Sequence, residues 1–168
     1  MAVTVWIPSS LAERLERHLK QGPAEQLAFM LAIWDGPRAN VVDLRLVASV
    51  AFDFQTPVHL SLSDEERAAV IKWAHDSDAA LIEAHVHRRG DPAQFSPSDH
   101  TGLDAFVPHV WWRLRHRPYV ALVFGETTFD GLAWRSDPRS PELVTTLVVD
   151  GRPDRTSTGL TLKGRLRW

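Results

Sequence analysis

The sequence predicts an α/β domain in which a mixed β-sheet is flanked by helices. Short apolar runs of strand length, some alternating and some continuous, recur along the chain. Between them stand three stretches that open like helices: Ser10 to Glu13, Ser63 to Glu66 and Ser96 to Asp99. Strand-type and helix-type segments interleave, an order that places helices against a sheet.

In chain order, Val3 to Ile7 reads as a short strand. Ser10-Leu-Ala-Glu13 reads as a capping box opening a helix with Leu11, Leu15 and Leu19 on one face, and Gly22-Pro23 stops it. Glu25 to Trp34 is nearly continuous in its apolarity and is bounded by turn residues, so pattern alone leaves it helix or strand. The Asp35-Gly36 turn leads into Val41 to Phe52, where Val42, Leu44, Leu46, Ala48, Val50 and Phe52 alternate with more polar neighbours. Val58 to Leu62 alternates again. Ser63 then caps a second helix that turns Val70, Trp73 and Ala74 inward.

Ala79 to His87 reads as a strand, and the helix opened by Ser96 runs towards Arg115, with Pro108 expected to kink or divide it. Tyr119 to Phe124 is a buried strand on which Thr127 to Trp134 pairs back, and Ser136 to Pro141 is a turn-rich loop. Leu143 to Val149 and Leu160 to Trp168 read as the last strands, the second alternating Leu160, Leu162 and Leu166 with Lys163, Arg165 and Arg167. No repeat, low-complexity tract or linker interrupts residues 1–168, which read as one domain.

Composition narrows the function. A chain of 168 residues with 44% hydrophobic and 24% charged residues is ordinary for a globular protein with a substantial core. A formal charge of −2 gives no electrostatic case for nucleic acid or an anionic membrane. The absence of cysteine excludes disulfides, thiolate zinc sites and cysteine nucleophiles. Met1 to Pro8 is too short and uncharged for a signal peptide, and no apolar run approaches membrane-spanning length, so the cytoplasm is the expected location. The seven tryptophans are scattered and read as core packing.

Chemistry concentrates between Glu83 and Asp99. His85 and His87 are one residue apart, so on a strand both side chains face one way and converge on one metal ion. After eight residues comes Ser96-Pro97-Ser98-Asp99, with Ser as N-cap, Pro at N1 and an acid at N3. A helix start folded back over the strand end brings the Asp99 carboxylate beside the two imidazoles. Two His and one carboxylate, with a fourth position left to water, is a common build for a catalytic zinc site.

With Glu25 upstream, this pattern resembles the JAMM/MPN metallopeptidases, the JAB-domain family: a distant Glu, His-x-His, seven to ten residues, then Ser-x-x-Asp. The resemblance runs from about residue 5 to residue 130. It implies an MPN-like form of the α/β fold, with Glu25 to Trp34 a strand buried on both faces and hairpinned to the next. It implies Zn2+ held by His85, His87 and Asp99, Glu25 as general base, and Ser96 as hydrogen-bond donor to the oxyanion. It further implies cleavage of isopeptide or C-terminal peptide bonds of a ubiquitin-like protein. The near-bare domain is similar to stand-alone bacterial members, often encoded beside ubiquitin-like proteins and their activating and conjugating enzymes, including in antiphage systems. Val86 stands where the family has Ser or Thr, Arg88 where it commonly has Pro, and the Gly often found before the first His is absent. These departures leave the ligands in place and touch the shape of the substrate groove.

Other residues carry plainer readings. Glu83 shares the face of the histidines and reads as exposed or structurally paired, with a second role as acceptor for an imidazole N–H. Asp91 and His100 lie near the motif but outside its ligand positions. His18, His59, His75, His109 and His116 have no ligand spacing, and Arg113, Arg115 and Arg117 read as a solvated face. Two other function classes compete: a non-catalytic MPN-type scaffold, against which all five motif residues argue, and a different metallohydrolase. The chain is too short for an amidohydrolase barrel and too helical for a cupin.

Overall fold

Val3, Val5 and Ile7 all point to one side of the first strand, β1 (Val3–Ile7), and are essentially inaccessible. That strand decides the architecture. In the computed structural model, which describes residues 2–165, β1 runs parallel to two strands at once: β3 (Arg38–Leu46) on one side and β9 (Glu142–Val149) on the other. Between those partners lie β2 (Leu27–Asp35), β6 (Ala80–Val86), β7 (Tyr119–Phe124) and β8 (Phe129–Trp134). The sheet order β1-β3-β2-β6-β7-β8-β9 therefore closes on itself through the β1–β9 pairing, as a seven-stranded barrel. A short β10 (Arg155–Thr156) pairs with β9 on the edge opposite β1.

This corrects the expected fold class. The sheet is not an open one layered between helices, and the chain is mostly β rather than an α/β, MPN-like domain. The physical reason is β1, whose two parallel neighbours join what would otherwise be two open edges. One buried cluster draws residues from all seven barrel strands, including Met30, Val41, Ile82, Leu122 and Leu147, with Ala12, Leu15 and Leu19 of α1 (Ser9–Leu19) added. The second cluster lies on the other face of four adjacent strands, β2, β6, β7 and β8, beneath α2 (Asp64–Asp76) and α3 (Pro97–Arg113).

The local expectations divide. Ser63 caps α2 by accepting the Glu66 N–H, and the Asp35-Gly36 turn joins β2 to β3 in an antiparallel hairpin. The first helix begins at Ser9, two residues before the start that a Ser10 cap would set, behind Pro8 and with no side-chain cap. The strand expected over 41–52 ends at Leu46, because a 3-10 turn (Ser49–Ala51) intervenes and leaves Val50 95% exposed. Phe52 then starts β4 (Phe52–Gln55), which pairs with β5 (Leu60–Leu62) in a separate two-stranded sheet. Pro108 sits inside α3 without dividing it. Trp112, also on α3, is exposed rather than packed.

The strand expected over 160–168 is instead a helix, α4 (Leu160–Arg165), with Leu166 to Trp168 outside the described residues. A wholly buried carboxylate, Asp130, accepts the N–H groups of Gly159 and Thr161 where this helix starts, satisfying donors that a strand would spend on a neighbour.

Candidate metal centre

The pleat of β6 sorts its side chains. Ile82, Ala84 and Val86 join the cluster shared by all seven strands, while Leu81, Glu83 and His85 face the side covered by α2 and α3. His87 follows just past the strand end, where its N–H donates to the Phe124 carbonyl at 2.9 Å. On the neighbouring strand, Leu27 stands opposite His85 in antiparallel register. Carrying that register two places further sets Glu25 opposite His87, and the Val86 N–H donating to the Gln26 carbonyl at 3.3 Å keeps the pairing going.

The third donor comes from α3. Ser96 Oγ accepts the Asp99 N–H at 3.2 Å and Asp99 Oδ2 accepts the Ser96 N–H at 2.7 Å, a reciprocal capping box. That same Oδ2 lies 3.0 Å from His87 Nε2 and 3.4 Å from His85 Nε2, and the two Nε2 atoms are 3.2 Å apart. Donors about 2.0–2.1 Å from a tetrahedral zinc stand about 3.3–3.4 Å from one another, so the triangle has the size such an ion requires. His85, His87 and Asp99 thus come together, each offering one ligand atom within 4.8 Å of the others. Glu25 Oε1 lies 4.0 Å from His87 Nε2.

Access is uneven. Glu25 and His85 are buried, while the side chains of His87 and Asp99 are about a fifth exposed. Burial would raise the Asp99 carboxyl, but hydrogen bonds from both imidazoles, the charge of His85 and the Ser96 N–H hold it far below its ordinary range. Burial pulls the His85 imidazole down, and the hydrogen bond and charge of Asp99, with Glu83 and Glu25, outweigh it and raise it. Burial also raises the Glu25 carboxyl, and Asp99 adds to this, against the attraction of His85 and His87. An anion bound between two electron-pair donors is an arrangement that a divalent cation satisfies in place of a proton.

The remaining candidates have other partners. Glu83 accepts a hydrogen bond from the Tyr119 hydroxyl at 2.5 Å, and burial pushes both groups up. Asp91 is held by Thr127 and Thr128. His100 lies outside the ligand group, its ring beside that of Phe95. His18 is a core residue bonded to the Leu27 carbonyl at 2.9 Å. A groove of about 750 Å³ leads away from His85 and Asp99 between α3 and the β5–α2 segment, past Glu83, Leu60, Arg67 and Phe106.

Residues that pin Glu25 carry no sequence signal. Its N–H donates to the Thr56 carbonyl at 2.9 Å, and its carbonyl accepts from Gln55 Nε2 at 2.8 Å. Arg88 reaches back to the Ala24 carbonyl at 2.8 Å and the Gln21 carbonyl at 2.6 Å. None of the three has a spacing that announces its partner.

Fold and site together define a closed β-barrel protein with a His-His-Asp cluster on its outer wall. No family model matches the chain, and no match is found among curated proteins. Among solved structures, the solution structure of protein DSY2949 from Desulfitobacterium hafniense is similar, with 17% identity and a TM-score of 0.55, covering 88% of this chain and 94% of that one. Likeness at that identity shows the fold alone. Among the described residues, no helix is long and apolar enough to cross a membrane.

Proposed function

We propose that this protein is a zinc-dependent hydrolase of amide bonds, of the JAMM type, that removes or processes a ubiquitin-like protein at its C-terminal tail. The observation that carries the reading is the buried Glu25 carboxylate beside a three-donor cluster of zinc dimensions. It rests on these side chains and not on the fold. The donors fit zinc: two imidazoles and one carboxylate, 3.0 to 3.4 Å apart and so close to tetrahedral edge lengths, with His87 and Asp99 partly open to solvent.

Zinc held by His85, His87 and Asp99 would supply Lewis acidity and would bring the pKa of a water down to about 7. Glu25, its carboxyl raised by burial, takes a proton from the attacking water and returns it to the leaving amine. Ser96 Oγ already accepts the Asp99 N–H, and its hydroxyl hydrogen is left for Ser98 Oγ at 3.0 Å or for the carbonyl oxygen of a substrate. A donor of this kind contributes roughly 3–4 kcal/mol to transition-state stabilisation. The groove, with apolar walls and Glu83 and Arg67 along it, suits an extended tail. The activating and conjugating enzymes of the same ubiquitin-like protein are the partners this implies, and the cytoplasm is the compartment.

The test is metal content and cleavage together. Purified protein is expected to hold one zinc per chain at neutral pH and to release a ubiquitin-like protein from a C-terminal fusion, with loss of cleavage on chelation and recovery on zinc addition. Absence of stoichiometric zinc hands the case to a non-catalytic interaction module. Zinc without cleavage of any fusion removes the substrate assignment.

A further inference from the structure

Of the three candidate ligands, His85 lies on β6, His87 just past its end and Asp99 on α3, and residues 87–96 form the segment between the two elements. Asp91, Ala93 and Phe95 in it are each tied down by threonines from elsewhere in the chain. The Asp91 carboxylate accepts from Thr127 N at 2.8 Å, Thr127 Oγ1 at 2.5 Å, Thr128 N at 3.0 Å and Thr128 Oγ1 at 2.6 Å. The Ala93 N–H donates to Thr128 Oγ1 at 2.8 Å, and its carbonyl accepts from Thr158 Oγ1 at 2.8 Å. The Phe95 N–H donates to Thr161 Oγ1 at 3.1 Å. Ala93 and Phe95 are both buried.

The far end of this series is itself anchored. Asp130, wholly buried in β8, accepts the Thr161 N–H at 2.9 Å and the Gly159 N–H at 3.2 Å, and the Thr158 N–H donates to the Phe129 carbonyl at 2.9 Å. The near end meets the site. The Phe95 ring lies edge-on to the His85 imidazole, centroids 5.6 Å apart at 62°, and the next residue is Ser96, whose N–H holds Asp99 Oδ2. A continuous run of contacts thus leads from the barrel wall through Thr161 and Phe95 to two of the three ligands.

We infer that Thr128, Thr158 and Thr161, with Asp130 behind them, are positioning residues for the metal centre, and that the C-terminal segment is part of its scaffold. This rests on the metal-centre reading. Three donors converge on one ion only when strand and helix hold one relative placement, and a free loop between them would allow many. Outer contacts that orient ligands change metal affinity by about 10- to 100-fold when removed. A purely structural role predicts something different: loss of fold stability with zinc affinity unchanged.

The experiment compares Thr161→Val with Thr161→Ser and with Thr145→Val, which removes a hydroxyl bonded at 3.1 Å to the Val3 carbonyl at the β1–β9 seam. Zinc affinity is read by competition with a chromophoric chelator, ligand geometry by the visible spectrum of the cobalt(II)-loaded protein, and stability by urea unfolding of the metal-free chain. Thr161→Val is expected to bind zinc about tenfold more weakly with an altered cobalt spectrum. Thr161→Ser is expected to restore both, and Thr145→Val to lose stability while keeping wild-type affinity. Thr158→Val, with its smaller expected loss, serves where Thr161→Val does not fold. Wild-type affinity in both the Thr161 and Thr158 valine variants, or equal weakening in Thr145→Val, overturns the inference while leaving the metal centre standing. A wild-type protein that takes up no zinc overturns both.

Discussion

Glu25 and His87 face each other just beyond the paired ends of β2 and β6, with Oε1 of the first 4.0 Å from Nε2 of the second. The antiparallel register of β2 and β6 places them so, and in the proposed mechanism the carboxylate has a task separable from metal ligation. Glu25→Gln keeps the shape and removes the base, so zinc content should stay at the wild-type level while kcat falls by about 10²- to 10⁴-fold. His85→Ala removes a buried member of the proposed ligand set and should lose both zinc and turnover. A Glu25→Gln enzyme cleaving a fusion at the wild-type rate would falsify the base assignment.

Arg88 fixes the chain just before that base through the carbonyls of Ala24 and Gln21. Arg88→Ala frees this segment without touching a ligand. We expect kcat to fall about 10- to 100-fold, the scale on which small misplacements of a catalytic group act, with zinc affinity unchanged. Loss of zinc instead of turnover would show that Arg88 supports the ligands rather than the base.

Most strands and both long helices were legible because their signals are local. The alternation of Val3, Val5 and Ile7 and the Ser63 cap each work within a few residues, whereas the apolar run through Met30 left helix and strand open by pattern. Barrel closure was not legible, since the parallel pairing of β1 with β9 joins chain ends and leaves no local mark. Leu160-Thr-Leu-Lys fits a strand period as well as a helical one, and the choice was made by Asp130, a distant residue. The cluster was legible for the converse reason: His85, His87, Ser96 and Asp99 carry their geometry in short spacings. Arg88, Thr128 and Thr161 act on backbone groups far along the chain, where spacing says nothing.

Gly131 lies in β8 where the barrel packs against β7 and β9. A methyl group on its Cα would stand 2.8 Å from Leu122 Cδ2 and 2.9 Å from Val144 Cβ, inside van der Waals contact. Both neighbours are fully buried, so relief requires shifts in the barrel wall. Gly131→Ala should cost about 1–3 kcal/mol of stability, the range for overpacked cores, read as a lowered urea midpoint with an unchanged slope. A midpoint equal to wild type would mean the wall yields more easily than this packing implies.

Asp91 makes stability depend on acid. Hydrogen bonds from the Thr127 and Thr128 side chains, with their N–H groups, hold its carboxyl well below the usual range, although the residue is exposed. The folded chain then binds this proton less readily than the unfolded chain, and stability rises with pH wherever the unfolded state carries more protons. The contribution is complete above the unfolded carboxylate value, about pH 4, and drains away as pH falls below it towards the folded value. Asp91→Asn has no such group to titrate. Its urea midpoint should therefore lie below wild type by a constant amount above about pH 5, and the two should approach each other as pH falls from about 4 towards 2. Curves that stay parallel across that window would show that the Thr127 and Thr128 hydrogen bonds do not distinguish the carboxylate from its acid.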